Sequence, residues 1–208
     1  MTSANSNSKT TYHHGDLKAV LLDETARILR QEGESALSLR VLAANVGVSR
    51  TAPYHHFKDK QSLLCAVAEE GFVRFGHAMT RALDEGRGHG GRHAMLHWSK
   101  AYVNFAVNNA EYYDLMYGGK LWRSKSLTKS LTRSARSYLR ANVERLQGLQ
   151  KRGYVAQELD VLRFSQVAWG TMHGISRLLI DGIYTDSASV KQLCETAADM
   201  LWQQLQPD

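Results

Sequence analysis

The stretch SLRVLAANVGVSRTAPYHHFKDK, from Ser38 to Lys60, decides the fold of this chain. Ser38 offers a side-chain acceptor for the first N–H groups of a short helix, and apolar residues then recur at helical spacing. Gly47 permits the left-handed backbone that ends such a helix. Ser49 is placed to cap a second helix that begins at Arg50. The stretch therefore predicts a helix-turn-helix.

The second of these helices carries side chains suited to DNA. In a helix-turn-helix, the first turn of the second helix points at base edges in the major groove. Arg50 is placed to span guanine O6 and N7, and Thr51 to touch a base edge or a thymine methyl. Tyr54, His55 and His56 lie further along and fit phosphate contacts, which set register rather than sequence.

Three further residues complete this prediction. Arg40 in the first helix could reach a phosphate or a flanking base. Lys60 opens the next helix, where its charge adds to the positive end of the helix dipole and favours a phosphate. Pro53 is unusual inside a second helix, because it forfeits the hydrogen bond to the Ser49 carbonyl and loosens the first turn. The pattern also occurs in helical binding or scaffolding proteins that have no DNA function.

The composition fits a basic, globular protein. The 208 residues include 43% apolar and 22% charged residues, with a net charge of +6 that suits an anionic partner. Cys65 and Cys194 form no close pair, which predicts reduced thiols, and no apolar run is long enough for a membrane span. No secretory-type segment is seen at the N-terminus, so we expect a cytoplasmic protein that associates with the nucleoid when it is bound to DNA.

Helical periodicity dominates and predicts an all-α fold. Residues 1–10 are small and polar and are predicted to be a disordered tail. We expect a DNA-binding domain over 11–60 and a helical body over 61–208. Helices are predicted at 16–33, within the helix-turn-helix, from Lys60 to Leu83, and at 93–109, 111–118, 124–151, 158–181 and 187–206. The run EGRGHGGR, from Glu85 to Arg92, is predicted to be a flexible glycine-rich loop between two of them.

A basic segment lies within the body. Residues 120–152 hold ten lysines and arginines against one acid, so this segment nets +9. Part of it forms a helical stripe, because its cations are spaced three or four residues apart. The stripe is interpreted either as a solvated helix face or as a docking surface for an anionic ligand or DNA, and its members are Lys125, Lys129, Arg133, Arg136 and Arg140.

The chain also resembles the tetracycline-repressor (TetR) family of bacterial transcriptional regulators. The resemblance rests on YHHGDL at Tyr12–Leu17, on SLRVLAANVGVS, and on APYHHFKDKQSLL ending at Leu64. It covers roughly residues 12–75, and the body is placed by architecture alone. One local motif there, Trp169–Gly174, is similar to the Trp-Gly-x-x-His-Gly signature of one C-terminal subgroup.

The resemblance implies a homodimeric repressor with two three-helix DNA-binding heads and a helical ligand-binding body. Our leading hypothesis is that it binds double-stranded DNA at a palindromic operator and is released by a small-molecule effector. The resemblance adds Ala52 to the base-contacting positions, where only a methyl contact is available. No cofactor, catalytic group or membrane association is implied. The residues predicted to cap or contact DNA are Ser38, Arg40, Ser49, Arg50, Thr51, Ala52, Tyr54, His55, His56 and Lys60.

Aromatic side chains crowd one region of the body. They are either ordinary core or the wall of an apolar effector cavity, one that would suit an apolar or aromatic effector or a lipophilic cation held by ring faces. The predicted ligand-binding residues are Trp98, Tyr102, Phe105, Tyr112, Met116, Trp122, Trp169, Met172 and His173.

The last two predicted helices, 158–181 and 187–206, are candidates for a dimer interface. Small residues such as Ala168, Gly170 and Gly174 permit close approach, and leucines and methionines supply apolar area. A two-fold dimer would bind a palindromic site.

Catalysis and metal binding find little support in the sequence. His89, His93 and His97 are spaced by four, but no cysteine or HExxH pattern accompanies them. Neither a phosphate-cradling loop nor a nucleophile–histidine set can be placed. We therefore predict neither an enzyme nor a metal site.

Overall fold

A computed structural model describes residues 17–124, 126–184 and 186–207, without the side chains of residues 187 and 188. Every regular element in this part of the chain is helical, which confirms the all-α prediction. The α-helices are α1 (Leu17–Gln31), α2 (Leu39–Val46), α3 (Lys60–Gly86), α4 (Gly91–Asn108), α5 (Ala110–Tyr117), α6 (Gly119–Trp122), α7 (Lys129–Gln150), α8 (Val161–Ile180) and α9 (Ser187–Leu205). The predicted tail over residues 1–10 and the motif start at Tyr12 lie outside the described residues.

The chain divides into two compact units, Met1–Lys58 and Asp59–Asp208, here called the head and the body. In the described part of the head, α1 packs on α2. Leu21 and Ile28 of α1 and Leu42 of α2 are fully buried. The amide of Asn45 donates to the Glu24 carboxylate over 2.8 Å and ties α2 to α1 across the rim of this core.

The body is built around α3 and α4. Helix α3 packs against α4, α5 and α7, and α4 packs in turn against α8 and α9. Helices α7 and α8, and α8 and α9, are also in contact. The buried residues of α3 include Leu63, Val67 and Phe75, which recur at helical spacing along the side that faces its neighbours.

The glycine-rich run between the helices predicted at 60–83 and 93–109 forms a shorter break than predicted. Helix α3 continues to Gly86, a 3-10 turn covers Arg87–His89, and α4 begins at Gly91. A Cβ atom on Gly86 would lie 2.5 Å from Cα of Ala94, so this glycine lets the two helices approach closely. The predicted break between two helices is therefore confirmed, but it is shorter than predicted, because Gly86 lies within α3 and packs against α4.

Helix α7 begins later than predicted. Thr128 has an extended backbone, and its hydroxyl accepts a hydrogen bond from the Leu131 N–H over 3.1 Å. This is an N-cap, and it leaves Leu127 outside the helix. Leu131 and Leu146 face the interior from α7.

Both cysteines are buried and free, Cys65 on α3 and Cys194 on α9. Among the described residues, no helix combines the length and the apolar character that a membrane span needs.

Candidate DNA-reading surface and aromatic cluster

Helix α2 begins and ends as its sequence predicts. Ser38 has an extended backbone, and its Oγ accepts from the Val41 N–H over 3.1 Å. At the other end Gly47 adopts the left-handed conformation, with φ 74° and ψ 31°. The next N–H, that of Val48, donates to the Ala43 carbonyl over 3.0 Å and turns the chain back on the helix.

The second element of the motif differs from the prediction. No α-helix begins at Arg50. A turn leads into a 3-10 helix over Ala52–His55, and Thr51, the N-cap residue before it, makes no side-chain capping bond. The predicted cap by Ser49 was therefore wrong, and its Oγ instead lies 3.2 Å from the Thr51 hydroxyl.

The cause of this short element is Pro53. It has no N–H to donate to the Ser49 carbonyl, so the backbone closes i→i+3 bonds, from Ala52 to Ser49 and from Tyr54 to Thr51, both at 3.0 Å. Pro53 and Phe57 are both buried and anchor the segment between them.

The predicted DNA-contacting side chains of the head are displayed outward. Ala52 is half-buried, and Tyr54 is 56% exposed although it is a large aromatic residue. On α2, Arg40 is exposed as well, whereas the capping Ser38 is half-buried. The remaining exposed members of the set are Ser49, Arg50, Thr51, His55 and His56. The predicted set did not include Lys58, which is also exposed and lies two residues after His56; its charge and position could have indicated it as a further candidate.

Lys60 belongs to the body, at the first position of α3. The preceding Asp59 forms a capping box, in which its carboxylate accepts from the Ser62 N–H over 2.7 Å and its own N–H donates to Ser62 Oγ over 3.0 Å. These bonds fix where α3 begins, and they place the lysine at the positive end of the helix dipole.

A continuous cluster of aromatic rings fills the middle of the body. Phe75 lies at its centre, with its ring centroid 4.9 Å from Tyr102, 5.3 Å from Phe105 and 4.8 Å from Tyr138. Tyr138 in turn lies 5.8 Å from Trp169. The rings come from α3, α4, α7 and α8 and meet edge to face, which is a favourable arrangement for aromatic pairs.

Two groups of hydrogen-bonded side chains lie within this aromatic cluster. The hydroxyls of Tyr102 and Tyr113 lie 3.2 Å apart, and the Tyr113 hydroxyl lies 2.7 Å from Nδ1 of His173. The Trp98 indole N–H donates to the Tyr138 hydroxyl over 3.2 Å. The first group of bonds links α4, α5 and α8, and the second links α4 and α7.

The titratable groups of the cluster are held in their neutral forms. Burial raises the pKa of Tyr113 and that of Tyr138 each to about 12. It raises the pKa of Tyr117 still further. Burial also lowers the pKa of His173, and the positive charge of Arg177 acts in the same direction. The cluster therefore presents rings, hydroxyls and a neutral imidazole.

Most of the predicted ligand-binding residues belong to this cluster or border it. Trp98, Tyr102, Phe105, Trp169 and His173 are linked by the contacts above. Trp122 donates its indole N–H to the Met116 carbonyl over 2.7 Å, and its ring borders Phe72.

Two predicted members lie differently. Tyr112 is covered by the Arg74 guanidinium, 5.0 Å from its ring centroid, and Met172 is fully buried. The sequence prediction did not include Phe75, Tyr117 and Tyr138. The spacing of Tyr113 and Tyr117, four residues apart on one helix, is the signal that could have found Tyr117.

The histidines considered for a metal form a ladder. The ring centroids of His89, His93 and His97 follow one another at 5.1 Å. Among the described residues, no group of three histidine, cysteine or carboxylate side chains is arranged to hold a metal ion.

Comparison with known proteins identifies the family. The model for bacterial regulatory proteins of the tetR family matches residues 21–67, which include α2 and the exposed segment after it. The model for the tetracyclin repressor-like C-terminal domain matches residues 95–201, about half of the chain. The chain belongs to the TetR family. It is therefore a DNA-binding transcriptional regulator with a helix-turn-helix head, and TetR-family regulators are not enzymes.

Individual relatives agree with this assignment. The uncharacterized HTH-type transcriptional regulator YobS of Bacillus subtilis (strain 168) is 30% identical over 100 residues, 48% of this chain and 51% of that protein. The chain thus matches about half the length of this curated relative. A protein of unknown function from Rhodococcus sp. RHA1 has a solved structure that is 35% identical, with a TM-score of 0.80, and the alignment covers 95% of this chain and 100% of that one.

The fold recurs at lower identity. The fatty acid degradation regulator FadR from Bacillus halodurans is 16% identical, with a TM-score of 0.70 and coverage of 91% of this chain and 96% of that one. This likeness concerns the fold alone. The finer resemblance of Trp169–Gly174 to one TetR subgroup stays a prediction.

Proposed function

We propose that this TetR-family protein is a repressor that occupies a palindromic operator as a homodimer and is released by a small, neutral, largely apolar or aromatic effector. The proposal rests on two features that occur together. The head exposes the predicted base-contacting segment, and the body contains the aromatic cluster with its hydrogen-bonded hydroxyls. Arg50 and Arg40 supply the guanidinium groups for base or phosphate contacts, with Lys60 as a phosphate contact.

An exposed apolar face on α8 and α9 supports the dimer. Val167 is 65% exposed and Met200 is 62% exposed, which is unusual for side chains of this size. Both line a surface groove of about 480 Å³ between these helices, together with Phe164 and Leu201. A second copy of the same face would cover these groups, and a two-fold pair of heads would favour a palindromic site.

Charged substitutions on this face test the dimer. We expect Val167→Glu and Met200→Glu, made together, to give a monomer by light scattering and to abolish tight operator binding while the helical circular dichroism signal is kept. Tyr154→Glu is the control, because Tyr154 is 64% exposed and lies outside the groove. A double variant that remains dimeric would contradict the proposed interface.

The aromatic cluster supports the effector class. Its titratable groups are neutral, so a charged effector would lose its hydration without gaining a counter-charge there, whereas a neutral ring would replace ring–ring contacts already present. To change operator occupancy from 99:1 to 1:99, the effector must favour the released state by about 5.5 kcal/mol.

An effector screen tests this part. Neutral aromatic compounds, with carboxylate and quaternary-ammonium analogues of the same size, are compared by thermal shift and by release from operator DNA. We expect release by a neutral member and a weaker response in a Trp169→Ala protein. A broad library without any apolar binder would count against the effector proposal, and release by a cationic analogue would favour the lipophilic-cation alternative.

A further inference from the structure

Helix α7 presents a row of cations to solvent. Lys129, Arg133, Arg136 and Arg140, here called the α7 basic stripe, are all exposed. They are spaced four, three and four residues apart and therefore lie along one side of the helix over about 16 Å. Lys125, included in the sequence prediction, lies outside the described residues.

The stripe is not matched by acids within the described chain. None of its four side chains takes part in an ion pair or hydrogen bond with another described residue. Glu144 lies one turn beyond Arg140 and forms no ion pair with it, and the Glu69 carboxylate accepts instead from the Ser130 hydroxyl over 2.5 Å. Cations one turn apart on a helix repel each other, so the stripe does not serve the stability of α7.

The opposite side of α7 packs against the rest of the body. Leu131 and Leu146 are buried, and the hydroxyl of Tyr138 accepts the Trp98 indole N–H within the aromatic cluster. Replacing stripe residues therefore leaves the packed side of α7 unchanged. The stripe can be tested without touching the core.

The chemistry of the stripe favours phosphates over other anionic partners. Three of its four cations are arginines, whose planar forks suit phosphate oxygens. A lipid surface or a protein partner would call for exposed apolar anchors, and α7 exposes no large apolar side chain along its length. DNA is the polyphosphate that a TetR-family protein already binds.

We propose that the α7 basic stripe is a second, sequence-independent DNA contact, which binds the phosphate backbone in addition to the contacts made by the head. Each phosphate that the stripe neutralises releases condensed counterions. The stripe therefore increases the salt dependence of binding to any duplex, and it adds nothing to base discrimination. This inference does not depend on the effector or on repression.

The test measures binding of the full-length protein to a 60-bp duplex without operator sequence. Anisotropy gives the affinity at each concentration of a salt series. The variant replaces Arg133, Arg136 and Arg140 by Gln, which keeps helix propensity. We expect the slope of log affinity against log salt to fall in magnitude by about 2 to 3, near 0.9 per lost phosphate contact. Affinity at low salt should fall by roughly tenfold or more.

A control variant removes the same charge elsewhere on the body. Arg81, Arg87 and Lys191 are exposed and lie on α3, the following turn and α9. Replacing these three by Gln should leave the slope nearly unchanged. In an Arg50→Ala protein, the stripe substitutions should remove the same part of the slope, because they act independently of base reading.

Several results would overturn the proposal. An unchanged slope in the stripe variant would do so, as would an equal loss in the control variant, which would show an effect of net charge alone. The proteins are also tested on vesicles with about a third anionic lipid. If the stripe substitutions weaken vesicle binding but leave the salt slope of DNA binding unchanged, the stripe is a membrane-binding surface instead. If the triple variant fails to fold, Arg136→Gln alone should lower the slope by about 0.9.

Discussion

The hydroxyl of Tyr113 lies 2.7 Å from Nδ1 of His173, although 60 residues separate them in sequence. Their rings also stack, with centroids 5.5 Å apart. On its other side the same hydroxyl lies 3.2 Å from that of Tyr102. One oxygen atom thus joins α4, α5 and α8 inside the aromatic cluster that we propose as the effector site.

Removing this oxygen should destabilise the body. In Tyr113→Phe the ring remains, but His173 and Tyr102 lose a buried partner, which costs about 1–3 kcal/mol of unfolding free energy. Urea unfolding measures the change. Tyr154→Phe removes the same atom from a side chain that is 64% exposed, and we expect its stability to stay within about 0.5 kcal/mol of wild type. Equal effects in the two proteins would show that the buried chain contributes nothing.

The stability of the protein should depend on the protonation of His173. Because its pKa is lowered in the folded state, the unfolded chain takes up a proton there at higher pH. Stability should therefore decrease as pH falls through the ordinary histidine range near 6.5.

We expect the free energy of unfolding to depend less on pH in His173→Gln than in wild type. Unfolding free energies at about pH 7.5 and about pH 5.5 are compared for both proteins, which isolates this residue from other groups that titrate in the same range. His93, whose pKa is also lowered, is present in both. Identical pH dependence in the two proteins would mean that His173 titrates alike in the folded and unfolded chains.

Glycine-to-alanine substitutions should act in opposite directions at two positions. Gly47 ends α2 with φ 74°, so an alanine there is strained, and we expect a loss of about 1 kcal/mol. Gly148 lies inside α7 with open space at its Cβ position, and alanine there should add about 0.5–1 kcal/mol. Thermal and urea unfolding provide the comparison; a neutral or stabilising Gly47→Ala would contradict the left-handed turn.

Two substitutions should separate base reading from phosphate binding. Arg50→Ala should relax preference at one operator position, with a loss of roughly 1–3 kcal/mol against the preferred base. Lys60→Ala should weaken binding to all duplexes alike and lower the magnitude of the salt slope by about 0.9. Site selection and anisotropy distinguish the two patterns. An Arg50→Ala protein with unchanged base preference would remove that residue from base reading.

The sequence predicted the local features of the head well where one residue type determines the backbone. The Ser38 cap and the left-handed Gly47 depend on neighbours a few positions away, and both were confirmed. The second helix differs from the prediction because the residues around Pro53 follow a helical pattern, whereas Pro53 itself has no N–H for an α-helical bond. The Ser49 carbonyl, which cannot accept from Pro53, accepts instead from the Ala52 N–H in a 3-10 bond.

Features that depend on distant residues were harder to predict. The role of Gly86 requires the close approach of Ala94 on another helix, which composition alone does not indicate. The aromatic cluster was anticipated from residue density on α4, α5 and α8. Its centre at Phe75 and its link to Tyr138 arise from the packing of α3 against α4 and α7, which no local pattern encodes.

Selection of binding sites from random duplex DNA by the full-length dimer tests the central proposal most directly, when followed by anisotropy on the enriched sequence across a salt series. We expect an enriched palindrome, bound with a steep salt dependence, and we expect this binding to be lost in the Val167→Glu, Met200→Glu double variant. Refolding removes any co-purified ligand. If the refolded protein still enriches no sequence, that result would contradict the proposed repressor function.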